Sequence, residues 1–141
     1  MKKIMLLVLI TTLAVFTKLN AQYKYACFKN EANKKIQLTV VFKKDKAVMV
    51  RYKGQKKAIA LIYSTTEQTG NGAGSPSFFW KETYFVKTGK KIVGSYVFTN
   101  GGAYELQLSY MDKRSNRKND FVIIPSLAGE NFSPYRNMPC F

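Results

Sequence analysis

The 141-residue chain contains no histidine. It therefore lacks the side chain most used as a general base, as the partner of a serine or cysteine nucleophile, and as a metal ligand. Chemistry would have to come from two cysteines, Cys27 and Cys140, and eight carboxylates. A zinc site needs several Cys, His or carboxylate ligands, and two lone cysteines in an oxidising compartment pair with each other instead. The carboxylates are dispersed, no two of them within six residues of each other in sequence, so a glycosidase-type pair would have to be assembled by the fold without a motif to announce it. Gly70-Asn71-Gly72-Ala73-Gly74-Ser75 has the composition of a phosphate-binding loop. Its spacing is wrong, and Pro76 and an aromatic run follow where a helix N-terminus should supply dipole and free amides. The expectation is a protein that binds rather than catalyses, with no metal and no cofactor.

Two polar features stand out against this background. Lys113, Arg114, Arg117 and Lys118 crowd basic charge into the segment 112–119, which makes them the candidate contacts for an anionic partner. Glu82 shares a strand face with Phe78, Trp80, Tyr84 and Val86. If that face points inward the carboxylate needs a partner or ligand; a bulge turning it to solvent, or a place at a barrel mouth, is the preferred reading.

These groups sit among strands. Ile36, Leu38, Val40 and Phe42 alternate with Gln37 and Thr39, and Tyr104, Leu106, Leu108 and Tyr110 alternate with Glu105, Gln107 and Ser109. Period-two alternation marks a half-buried strand. Turn signals at 30–33, 44–46, 53–55, 88–90 and 100–102 separate eight strands, at about 23–29, 34–43, 47–53, 57–64, 78–87, 91–99, 103–111 and 120–125. Short links imply antiparallel neighbours. The predicted fold is all-β: an eight-stranded antiparallel meander forming a small closed or nearly closed β-barrel, with a two-sheet sandwich as the alternative. Pro125, Pro134 and Pro139 make the tail irregular, and a Cys27–Cys140 disulfide pins it.

Residues 1–21 have the layout of a secretory signal peptide. Lys2 and Lys3 precede an uncharged stretch from Ile4 to Phe16, and small Ala21 stands before the expected cut. The stretch is shorter than the ~20 apolar residues that span a bilayer, so residues 22–141 are expected as one exported domain, periplasmic or extracellular, with no transmembrane segment. The first 21 residues hold three of the 23 basic side chains and none of the eight acidic ones, leaving twenty against eight, a net charge of +12, on the remainder. Such a surface draws anionic partners: an acidic glycan, a lipid head group or an acidic protein. Nucleic acid is not expected outside the cell.

Tyr25-x-Cys27, the Gly/Ser loop leading into Phe79-Trp80-Lys81, and the late Cys140 resemble a family of exported bacterial inhibitors of c-type lysozyme. The resemblance implies a small eight-stranded barrel stapled between its ends, and inhibitory contacts at Ser75 and Lys81. The loop order Gly74-Ser75, the pair Lys81-Glu82, and some 60 further residues depart from that family's pattern. A +12 inhibitor would also repel a cationic lysozyme. The leading expectation is a non-enzymatic module for an anionic partner. The alternatives are an inhibitor using the 65–77 loop, or a carrier of a small apolar ligand in the barrel lumen.

Overall fold

The structure, a computed structural model, describes residues 23–70, 78–101, 104–129, 131 and 133–141. The expected signal segment 1–21 and Ser75 lie outside the described residues. Nine strands follow in chain order: β1 (Tyr23–Asn30), β2 (Gln37–Lys43), β3 (Lys46–Tyr52), β4 (Ile59–Ala60), β5 (Ile62–Gly70), β6 (Phe78–Thr88), β7 (Lys91–Gly101), β8 (Tyr104–Asp112) and β9 (Lys118–Ile123), with a 3-10 turn at Pro125–Leu127. All pair antiparallel in one sheet ordered β4-β3-β2-β1-β9-β8-β7-β6-β5, which curls into a nearly closed barrel. The expected all-β barrel is what the chain forms.

One element differs from expectation. The run read as a single strand at 57–64 is two strands, because its partner changes at Leu61. Ile59 and Ala60 pair with Val50 and Met49 of β3, whereas Ile62 onward pairs with Phe85 and its neighbours on β6. Leu61 spans the junction, its amide bonded to Val48 O (3.0 Å) and its side chain packed on the core. The barrel's seam therefore falls between two strands that are consecutive in sequence. Other boundaries shift as well: β2 starts at Gln37, β9 starts already at Lys118, and β5 runs on to Gly70, so residues 65–70 of the expected 65–77 loop are strand paired with β6.

The interior is filled by side chains from alternating positions, among them Phe28, Leu38, Val40, Val50, Tyr84, Tyr96 and Leu108, all under 2 % exposed. The rings meet edge to face, as Phe42 with Phe98 (centroids 5.7 Å) and Tyr84 with Phe98 (5.4 Å), the arrangement ring quadrupoles favour. Turn chemistry agrees with the hairpins. Lys44 and Asp45 both take positive φ (49° and 61°) between β2 and β3, the backbone that a two-residue primed turn requires.

The tail runs along the first half of β1, and its Tyr135 turns in to meet core residue Phe42 edge to face (5.2 Å). Because β1 pairs with β9 only over Phe28–Asn30, the edge of its first half is left for the tail. Tyr25 and Arg136 exchange two backbone bonds (2.8 and 2.9 Å), and Ile124 N donates to Cys27 O (2.8 Å). The Cys27–Cys140 disulfide is present, joining positions 113 residues apart.

Candidate functional site

In an antiparallel meander alternate turns fall at the same end. The end where β1 finishes collects the segments 31–36, 53–58, 89–90 and 113–117. They bring Lys34 and Lys35, then Lys53, Lys56 and Lys57, then Lys90 with the flanking Lys87 and Lys91, and finally Lys113, Arg114 and Arg117 with the flanking Lys118. All twelve are exposed. The acidic residues in these four turns and their immediate flanks are Glu31 and Asp112. The four residues expected from sequence thus form one quadrant of a larger basic surface.

The turns are held in shape by short side chains. Asn30, 4 % exposed, accepts a bond on Oδ1 from the Asn33 amide (2.8 Å). The amides of Arg114 and Ser115 both donate to Asp112 Oδ1 (2.8 Å each). Those bonds, that from Ser115 foremost, hold the Asp112 carboxyl below its ordinary value, and its one negative charge is set against Lys113, Arg114 and Arg117 in the loop. Lys118 does not lie in that loop; it opens β9 and pairs with Asp120 (2.9 Å). Asp120 is held low chiefly by a bond from Ser109 Oγ (2.6 Å), then by Lys118. Among the described residues the other ion pairs, Lys24–Asp45, Lys46–Glu82 and Lys81–Glu67, belong to the opposite half of the barrel. Eleven of the twelve basic groups at this end therefore carry no ion-pair partner among the described residues.

Glu82 lies at the opposite mouth, facing inward as the alternation implied. The β6–β7 ladder is regular through Glu82–Phe98, with its shift only at Val86/Lys87; the barrel-mouth position is the observed one, without a bulge there. The carboxylate is partnered by Lys46, by Tyr84 Oη–H (2.7 Å) and by Thr66 Oγ1–H (3.3 Å). Tyr84 Oη also accepts from the Ala47 amide (3.2 Å). Two-residue β4 pairs no further along β3 than Met49, so these side chains bridge the part of the seam that β4 does not reach. Burial, with the bond to Glu82, pushes the Tyr84 phenol well above its ordinary value.

Lys81 is on β6, partly exposed and 3.9 Å from Glu67, with half-exposed Trp80 beside it. The proposed companion Ser75 is outside the described residues. No group of three or more His, Cys, Asp or Glu side chains is placed to hold a metal among the described residues. None of their helices is long and apolar enough to cross a membrane. No family model matches the chain, and neither curated proteins nor solved structures give a match.

The basic residues outside 113–118 were visible in the sequence as scattered lysines. Sorting them by turn parity would have found them, since the odd-numbered turns of a meander share an end.

Proposed function

We propose that this is an exported, non-enzymatic binding module whose lysine-rich barrel end docks an anionic partner: an acidic glycan, a lipid head group or an acidic protein surface. The carrying observation is the convergence of twelve basic side chains, from four turns spread between residues 34 and 118, against three acidic ones, Glu31, Asp112 and the Asp120 that pairs with Lys118. Charge gathered on one face of a rigid scaffold steers and holds an anion far better than the same charge dispersed. The test is binding of the purified, disulfide-bonded protein to a sulfated polysaccharide and to anionic vesicles at about 0.05 and 0.3 M salt, where the screening length shrinks by more than half. Affinity should fall steeply with salt. It should fall likewise in Lys113→Glu/Arg114→Glu/Arg117→Glu, but much less in Lys43→Glu/Lys44→Glu at the other end. Salt-independent binding, or equal loss in both variants, rejects the reading.

A second reading, inhibition of a c-type lysozyme, is favoured by exposed Trp80 and Lys81 on β6, the strand that follows the Gly/Ser segment. Ser75→Ala with Lys81→Ala should abolish inhibition; an unmodified protein that does not inhibit disposes of it.

A further inference from the structure

The outer surface of β1–β3 breaks the rule that a sheet face turned to water is polar. Register places Tyr25, Val41 and Met49 side by side, on the face opposite to Ala26, Val40 and Val50 of the core. The tail covers one side of this row through Arg136 and Cys140. What it leaves is a groove of about 330 Å³, walled by Tyr23, Ala58 and Pro139. Arg51 and Lys56 stand in its lining; Arg51 Nη2 donates to the Phe141 carbonyl (3.2 Å), and Lys56 makes no ion pair among the described residues. Thr39, opposite Arg51 in the ladder, also lines the groove; it is 1 % exposed and its Oγ1 has no hydrogen-bond partner among the described residues. A buried hydroxyl is normally satisfied, so this one is an unmet request for an oxygen at the basic end of an apolar trough.

Building on the anionic-partner reading, we infer that the groove binds a monoacyl anionic amphiphile: a single hydrocarbon chain bearing a carboxylate or phosphate head. Charge complementarity fixes the orientation. The head sits at Lys56 and Arg51, where the Thr39 hydroxyl donates to one of its oxygens. The chain runs along Val41, Met49 and Tyr25 toward Tyr23, four residues and so about 13 Å down the strand. Lys56 belongs to the 53–58 turn of the basic end, so the groove and that end form one continuous surface. A neutral chain would leave the cations and Thr39 unused, and a small anion would leave the apolar row bare.

The experiment is calorimetric titration of the purified, disulfide-bonded protein with octanoate, decanoate and laurate below their micelle concentrations. Dodecyl phosphate, neutral dodecyl maltoside and inorganic phosphate serve as comparisons. Affinity should rise about threefold per added methylene as the chain fills the groove. Laurate and dodecyl phosphate should exceed the neutral maltoside by about tenfold and chainless inorganic phosphate by more than about a hundredfold. Met49→Glu should cost laurate at least about tenfold, with sulfated-polymer binding retained. Thr39→Val should weaken laurate about tenfold without lowering thermal stability, which a merely structural hydroxyl would not do. A flat chain-length series in the unmodified protein overturns the inference, as does full laurate binding by Met49→Glu. So does a dimer that Met49→Glu converts to monomer, since a second copy would then be the occupant. If the sulfated polymer still binds while the series is flat, only this inference fails; if neither binds, the anionic reading falls with it.

Discussion

Replacing Tyr84 by phenylalanine isolates one oxygen at the barrel's seam. The ring stays packed between Phe98 and Tyr63, at centroid distances of 5.4 and 5.7 Å. Two bonds vanish: the one Tyr84 donates to Glu82 (2.7 Å) and the one it accepts from the Ala47 amide (3.2 Å). Ala47 is 3 % exposed and β4 ends its pairing at Met49, so the amide is left without a partner, at a cost of about 1–3 kcal/mol. Glu82 keeps Lys46 and Thr66, so its loss lies near the low end for a bond to a charged group, about 1.5 kcal/mol. The sum is about 3 kcal/mol. At roughly 4 °C per kcal/mol for a chain of this size, the melting point should drop by about 12 °C. Urea unfolding under non-reducing conditions should show a lower midpoint at an unchanged slope. The Ala47 amide should also exchange with solvent faster than its neighbours on β3. A loss under about 1 kcal/mol, with that amide still protected, would refute the claim that side chains close the seam.

Three further outcomes follow from the same structure. Converting Cys27 and Cys140 to serine opens a loop of 113 residues and should cost about 4–5 kcal/mol in the chain-entropy treatment; calorimetry of the variant against the oxidised protein checks it. Gly94→Ala should destabilise by about 1–3 kcal/mol, because a Cβ there would sit 2.7 Å from the Tyr110 ring carbons; urea midpoints measure it, and in a Tyr110→Ala background the same substitution should cost much less. Burial raises the phenols of Tyr52, Tyr84, Tyr96, Tyr110 and Tyr135 above the ordinary value of 10.0. The unfolded chain therefore loses these protons first, and the stability they confer is intact below pH 10 and lost as the pH climbs beyond it. In an alkaline titration the phenolate absorbance of Tyr84 and Tyr96, the two most strongly raised, should emerge together with loss of the circular-dichroism signal, and not before.

Much of the barrel could be read from local pattern, because each strand carries its own evidence. Alternation at Ile36–Phe42 and Tyr104–Tyr110 and the turn residues between strands reflect forces acting over a few positions. Two cysteines with no rivals left one pairing. What escaped was set by partners distant in sequence. Nothing between Lys57 and Tyr63 breaks a strand, and the split at Leu61 exists only because β3 and β6 compete for that run. The basic end escaped for a related reason: the turns that carry Lys34 and Lys113 come to one end of the barrel through topology, while the 113–118 cluster was conspicuous because it is contiguous. The apolar row Tyr25, Val41 and Met49 is hidden in runs such as Val40-Val41-Phe42 that read as hydrophobic on both faces. Glu82 was legible as a carboxylate in need of a partner, but Lys46 lies 36 residues away.

The pairing of β1 with β9 has a consequence for how the chain must assemble. Apart from that joint, the sheet consists of two self-contained meanders, β1 to β4 and β5 to β9, each made only of sequence-adjacent hairpins. They are welded at Phe28–Ile123, Lys29–Val122 and Asn30–Phe121, contacts that span more than ninety residues, and no shorter-range pairing can substitute for them. The late, slow event in folding should be this docking of first strand to last, since loop closure must precede any reward from the contacts. Read as a ring, the strand order is continuous from β5 through β9 and β1 to β4. A circular permutant that opens at Leu61 and links the old termini would turn the most distant strand pairing of the sheet into a more local one, joined through the tail, and should reach the same barrel faster.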